Sequence, residues 1–202
     1  MAFNISDQEI KAIVHEVVEQ TMSEKATSPQ RSSSYYQQTP TTNPTPKKTN
    51  KTVAIGADHG GVDLKEILKE ELTKKGYQVI DCGTNTKESV DYPDIALAVA
   101  NRVACGEAWR GICIDGAGIG SCMTANKVPG IRAALCYDYA TAVNSREHND
   151  ANVLTLGAGL IGINLAKLIL KTWLATDFGG GRHARRVNKI TAIGQRYYKD
   201  GK

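Results

Sequence analysis

A three-layer α/β sandwich, with helices on both faces of one five-stranded parallel sheet, is the fold that three observations predict for residues 52–202. Short apolar runs of strand length alternate with segments of helical length, the order produced by a parallel sheet and its crossover helices. Polar glycine-rich turns follow the first and third apolar runs, and open parallel sheets bind ligands beyond the carboxyl ends of their strands. All 19 glycines lie from Gly56 onward, whereas four of the six prolines (Pro29, Pro40, Pro44 and Pro46) precede it. Two different kinds of chain therefore join near residue 51.

Taken in order, the first strand is the apolar run Val53 to Gly56, and Gly60-Gly61 then lets the chain turn into a helix over Val62 to Lys75. A strand from Tyr77 to Cys82 follows. The next helix, Tyr92 to Cys105, carries Pro93 in its first turn, where a missing N–H costs nothing. The strand Gly111 to Ile114 runs into the glycine turn that opens a short helix, Gly120 to Asn126. The remaining elements are a strand over Ile131 to Cys136, a helix over Tyr139 to Glu147, a strand over Val153 to Leu156, and helices over Asn164 to Thr176 and His183 to Tyr198. Asp58, Asp115 and the loop before Val153 are expected on one rim of the sheet.

Residues 1–22 read differently. Ile10, Ile13, Val14, Val17, Val18 and Met22 form the i, i+3, i+4, i+7 stripe of an amphipathic helix, with Ser6 and Glu9 as a capping box. Its other face carries Lys11, His15, Glu16, Glu19 and Gln20, an acidic surface unsuited to a transit peptide or a membrane. Residues 23–51 are dominated by Ser, Thr, Pro, Gln and Asn and are expected to be a disordered linker. A short helix isolated on such a linker needs a partner for its stripe.

Composition excludes several function classes. A chain of 202 residues that is 41% apolar buries one good core and hardly two. The net charge of +4 is scattered and lacks aromatic platforms, so no nucleic-acid partner is expected. No apolar run approaches a membrane span and no secretory leader is evident, so no membrane association and a cytoplasmic location are expected. Five cysteines without a C-x-x-C pair point to reduced thiols. His15, His59, His148 and His183 show no metal-ligand spacing, so no metal and no cofactor are expected.

The chemistry concentrates in four clusters. Asp115-Gly116-Ala117-Gly118-Ile119-Gly120 ends a strand and opens a helix, a geometry that aims backbone N–H groups at a phosphate or oxyanion. It falls one residue short of the dinucleotide fingerprint G-x-G-x-x-G, whose third glycine would be Ser121. Asp58-His59-Gly60-Gly61 places a carboxylate and an imidazole at a second strand end. The others are Ser145-Arg146-Glu147-His148-Asn149-Asp150 and Gly179-Gly180-Gly181-Arg182-His183-Ala184-Arg185-Arg186. Arg182 and Arg186, four apart, share a helix face, and guanidinium groups bind phosphate through paired donors.

Together with Asp91-Tyr92-Pro93 and Ala125-Asn126-Lys127, these motifs resemble, in order and spacing, the ribose-5-phosphate isomerase B and galactose-6-phosphate isomerase family, over about residues 51–200. The resemblance implies a Rossmann-like domain that interconverts aldose and ketose phosphates through an enediol(ate), most simply ribose 5-phosphate and ribulose 5-phosphate. It implies that His59, Arg182 and Arg186 hold the phosphate, that His148 helps open the sugar ring with Asp58 at the ring oxygen, and that Asn149 contacts substrate. Tyr92 walls the sugar pocket, and the N–H groups of Gly116, Gly118, Ile119 and Gly120 form an oxyanion hole. The pocket lies at a subunit junction, so a homodimer or tetramer is implied. Residues 5–22 resemble the encapsulation peptides that recruit enzymes to the shell or cargo of a bacterial microcompartment.

The sequence departs from the family at the base. Where many members have Cys-Gly-Thr-Gly-x-Gly, Asp115 replaces the cysteine and Ala117 the threonine; where others carry a glutamate after the last glycine, this chain has Ser121. Asp115 can be the base, since a carboxylate shuttles an enediol proton when burial raises its basicity. Cys122, one turn into the helix, is a second candidate. The third reading is a catalytically silent sugar-phosphate-binding or partner subunit.

Overall fold

The computed structural model describes residues 51–198 together with Gln8. The expected helix over residues 6–22 and the linker after it otherwise lie outside the described residues. Five strands form one sheet: β1 (Thr52–Ala57), β2 (Gln78–Asp81), β3 (Arg110–Asp115), β4 (Ala133–Leu135) and β5 (Val153–Gly157). Their order is β2-β1-β3-β5-β4 and every pairing is parallel. The helices are α1 (Val62–Lys74), α2 (Tyr92–Ala104), α3 (Ile119–Ala125), α4 (Tyr139–Glu147), α5 (Ile163–Ala175) and α6 (Gly181–Tyr198). All eleven expected elements of residues 52–198 are present; β4 is shorter than its apolar run because Asn126 Oδ1 and the Asn152 side chain take the N–H groups of Ala133 and Arg132.

The two faces of the sheet pack differently because side chains alternate along a strand. Val53, Ile55, Ile112, Ile114, Leu154 and Leu156 meet Leu64, Leu68 and Leu72 of α1 and Ile169, Leu170 and Trp173 of α5. The opposite face packs Ala54, Cys113 and Val153, with the half-buried Ile80 and Ala133, in one cluster with Ala96, Val99 and Ala100 of α2. Small residues there let α2 come close: a Cβ on Gly111 would stand 2.8 Å from Val99 Cγ1. Burial pushes the thiols of Cys113 and Cys136 upward, that of Cys136 to about 11, so neither is a nucleophile at neutral pH.

Because the strands are parallel, loops leaving strands lie on one rim and loops entering them on the other. Asp58 and Asp115 follow β1 and β3, but His148 and Asn149 end α4 and enter β5. The expectation of a single rim is therefore wrong for the latter pair. Gly111 N donates to Asn152 O at the entry rim, while Asp115 pairs with Gly157 at the exit rim. Four residue steps along β3, from Gly111 to Asp115, span about 13 Å.

The entry rim is built around Trp173, which is fully buried and donates from Nε1 to Ser145 Oγ at 3.1 Å. Arg110 stacks over its ring and donates to the Trp173 carbonyl at 2.7 Å, and Arg146 Nε donates to the Thr176 carbonyl at 3.3 Å. Two guanidinium groups thus cap the carboxyl end of α5, where the helix dipole favours cations. Desolvation, with Arg146 nearby, lowers Arg110 from 12.5 to about 10, still cationic at neutral pH. Trp173→Ala should destabilise the fold by about 3–5 kcal/mol in urea titrations, and a loss below about 1 kcal/mol would remove this residue from the core account.

Candidate active site

At the exit rim Asp58 caps its own turn. Its Oδ1 accepts from Gly60 N at 3.0 Å and Gly61 N at 3.2 Å, which leads the chain into α1. His59 Nδ1 accepts from Val90 N at 3.3 Å, so its neutral ring carries the proton on Nε2. That bond ties the loop before α2 to the loop after β1. Tyr92, at the first position of α2, lies over the glycine turn: a Cβ on Gly120 would stand 2.5 Å from its ring.

Asp115 is nearly buried, and its carboxylate organises the turn that follows it. Oδ1 accepts from Ala117 N at 2.9 Å and from Gly118 N, while Oδ2 accepts from Ser121 N at 2.9 Å. Gly118 has φ 78°, the left-handed backbone on which glycine carries no steric cost. The expected oxyanion hole is therefore corrected at Gly118, whose N–H is already committed. The N–H groups of Gly116, Ile119 and Gly120 donate to no acceptor among the described residues. Tyr137 Oη donates to the Ala117 carbonyl at 2.8 Å, and a Cβ on Gly157 would stand 2.6 Å from that same peptide. Tyr137 and Gly157 thus hold the turn from outside, and their places at the exit ends of β4 and β5 were the signal available in the sequence.

Cys122 does not face this turn. Its Sγ donates to the Ala133 carbonyl at 3.5 Å and accepts from Asn126 Nδ2 at 3.6 Å, which directs it toward β4. Its candidacy as base is thereby removed on geometry.

At the entry rim, His148 caps the end of α4 and stacks on His183 with ring centroids 4.1 Å apart and planes within 7°. Asp150, at φ 47°, is the only described non-glycine residue with positive φ, a conformation costing about 1–2 kcal/mol. Ion pairs with Arg132 at 2.8 Å and Arg146 at 2.9 Å hold it there. That turn stops α4 and leaves His148 and Asn149 at the corner. Gly179 N donates to the Glu147 carbonyl at 2.9 Å, bringing the start of α6, with Arg182 and Arg186, beside them. Desolvation, then the neighbouring His148, Arg182 and Arg186, lower His183 below the ordinary histidine range.

The structure thus forms two half-sites: Asp58, His59, Tyr92, Asp115 and the glycine turn on one rim, His148, Asn149, Arg182 and Arg186 on the other. The family model for ribose/galactose isomerase matches residues 53–190, which carry both halves. The chain belongs to that family. It is an aldose–ketose isomerase of the sugar-phosphate class. It is 47% identical to ribose-5-phosphate isomerase B of Escherichia coli over 146 residues, covering 72% of this chain and 98% of that one. It is 45% identical to D-erythrulose-4-phosphate isomerase of Pectobacterium atrosepticum over 140 residues, covering 69% of this chain and 92% of the other. The solved ribose-5-phosphate isomerase B of Clostridium thermocellum superposes with a TM-score of 0.71 at 54% identity, covering 72% of this chain and 99% of that chain. Among the described residues, no helix is long and apolar enough to cross a membrane and no cluster of His, Cys, Asp and Glu could hold a metal ion.

Two outcomes are expected of this isomerase. Gly157→Ala pushes the 115–120 turn outward and should lower kcat about 100-fold; unchanged kinetics would show that the turn's position is unimportant. In an NMR titration His183 should protonate below the usual histidine midpoint, and Arg186→Ala should move that midpoint up. Since the unfolded chain binds this proton first, acidification through the ordinary histidine range destabilises the fold at His183.

Proposed function

We propose that the isomerase converts ribose 5-phosphate and ribulose 5-phosphate in a pocket shared by two copies of the chain. The observation that carries this reading is the placement of the phosphate-binding arginines and His148 on the rim opposite Asp115. One copy contributes Asp58, His59, Tyr92, Asp115 and the glycine turn; the other contributes His148, Asn149, Arg182 and Arg186. Pairing is supported by an open groove of about 1040 Å³ between β4, α4 and α6, lined by Ala133, Leu135, Ala140, Ile190 and Ile193.

The division of labour is the one the family resemblance implies, and the placement of the groups supports it. Arg182 and Arg186, both exposed and one turn apart, grip the phosphate with His59 Nε2–H. His148 and Asp58 open the ring, Asp58 through Oδ2, which has no partner among the described residues. Asp115 then moves a proton between C1 and C2; its Oδ2 accepts one N–H and retains a second acceptor position. Negative charge on the enediolate oxygen is received by the N–H groups of Gly116, Ile119 and Gly120. The substrate assignment is supported by the ribose-5-phosphate isomerase relatives, and a panel including tetrulose 4-phosphates tests it against the D-erythrulose-4-phosphate relative.

Subunit complementation tests the shared pocket. Asp115→Asn and His148→Ala homomers should each lose about 10²–10⁴ in turnover. Refolded together in equal amounts they should regain about a quarter of the wild-type rate, since half the dimers are mixed and each has one intact site. No regain from well-folded mixed dimers would place the site within one copy. Substrate binding without turnover in the wild type would favour the silent-subunit reading.

The N-terminal stripe supports recruitment to a microcompartment shell or its cargo. Removing residues 1–50 should leave turnover intact and abolish co-sedimentation with shell proteins; persistence of co-sedimentation would remove the targeting role.

A further inference from the structure

We infer that Asn144 is a positioning residue that fixes the tautomer of His148, holding it as a neutral imidazole with its proton on Nε2. The inference rests on the reading of His148 as a group that acts on the sugar during ring opening.

It follows from a short chain of hydrogen bonds in which each role is forced. Asn149 Nδ2 lies 3.2 Å from the Asn144 main-chain carbonyl, and a carbonyl only accepts, so that atom of Asn149 is a nitrogen donor. The same Nδ2 lies 3.1 Å from the Asn144 side-chain amide, whose facing atom is therefore the oxygen Oδ1. Asn144 must then present Nδ2 to His148 Nδ1, at 2.9 Å. An amide NH2 only donates, so Nδ1 is bare and the ring proton sits on Nε2.

The neighbouring ring is fixed in the opposite sense. Arg182 Nε, which only donates, meets His183 Nε2 at 3.4 Å, so a neutral His183 carries its proton on Nδ1. A positive charge on His183 would face the His148 ring, Arg182 and Arg186, against Glu147. A protonated His148 would also point Nδ1–H at the Asn144 NH2, two donors in contact.

The consequence is a division of roles. His148 Nε2–H lends a hydrogen bond to a sugar oxygen and keeps its proton, as a neutral electrophile does, while Asp58 takes the anomeric hydroxyl proton and returns it to the ring oxygen, and Asp115 moves the proton between C1 and C2. Asn144 touches no substrate and acts only through the ring. Asn149, whose Nδ2 is committed to Asn144, keeps Oδ1 for the sugar.

The test is nitrogen NMR of the full chain labelled with ¹⁵N-histidine, at mildly alkaline pH where imidazoles are neutral. His148→Gln identifies the signals among the four histidines. In the wild type His148 should show a bare Nδ1 and a protonated Nε2. Asn144→Leu should give a mixture of tautomers, and Asn144→Asp, which offers only acceptors, should invert the ring to Nδ1–H. Both variants should lose about tenfold or more in kcat with ribose 5-phosphate, with circular dichroism unchanged. A protonated Nδ1 in the wild type, or a tautomer indifferent to Asn144→Asp, overturns the inference. Unchanged turnover in His148→Gln would overturn the ring-opening reading instead, leaving the spectra to decide the tautomer.

Discussion

Parallel pairing of all five strands is the constraint from which the rest of this molecule follows. A parallel sheet needs a crossover for each strand, so every loop leaving a strand collects on one rim and every loop entering one collects on the other. The acid-and-glycine chemistry falls on the first rim and the histidine-and-arginine chemistry on the second, about 13 Å away along the strands. A single sugar phosphate cannot reach both within one copy. In the proposed shared pocket, catalysis that needs both halves is assembled between copies, and the open flank beside β4 and α6 offers apolar surface for that pairing.

Within each half, side chains that look catalytic also shape the backbone. Asp115 gathers three N–H groups of the turn onto its carboxylate and leaves those of Gly116, Ile119 and Gly120 without an acceptor among the described residues. A cysteine in its place would make weaker bonds to those donors, so the exchange alters the turn as well as the candidate base. Asp150 does the same at the other rim, where two arginines hold a strained backbone that ends α4 at His148. Loop geometry and reactivity are coupled through the same carboxylates.

Much of this was legible in the sequence. The alternation of apolar runs and helical segments gave every element, because strands buried on both faces read as continuous apolar stretches. The glycine turn, the Asp58 turn and the Arg182-to-Arg186 spacing identified the half-sites. Their separation was missed at the loop before Val153, because motif order records which residues matter but not the direction in which a helix returns. Asn144 and Tyr137 were also missed: each acts through a hydrogen bond to a neighbour's ring or carbonyl, and only the place of Tyr137 at the exit end of β4 hinted at its role. Gly118 was misjudged for a related reason, since the competition of the Asp115 carboxylate with ligand for its one N–H exists only in three dimensions.

The most direct measurement is to incubate the purified full-length protein with ribose 5-phosphate in D₂O and follow the sugar by proton and carbon NMR. The account predicts ribulose 5-phosphate, with deuterium entering at C1 of the ketose and C2 of the recovered aldose, as an enediol requires when Asp115 exchanges its proton with solvent. Appearance of neither ketose nor deuterium, in a protein that still binds the sugar phosphate, would contradict it.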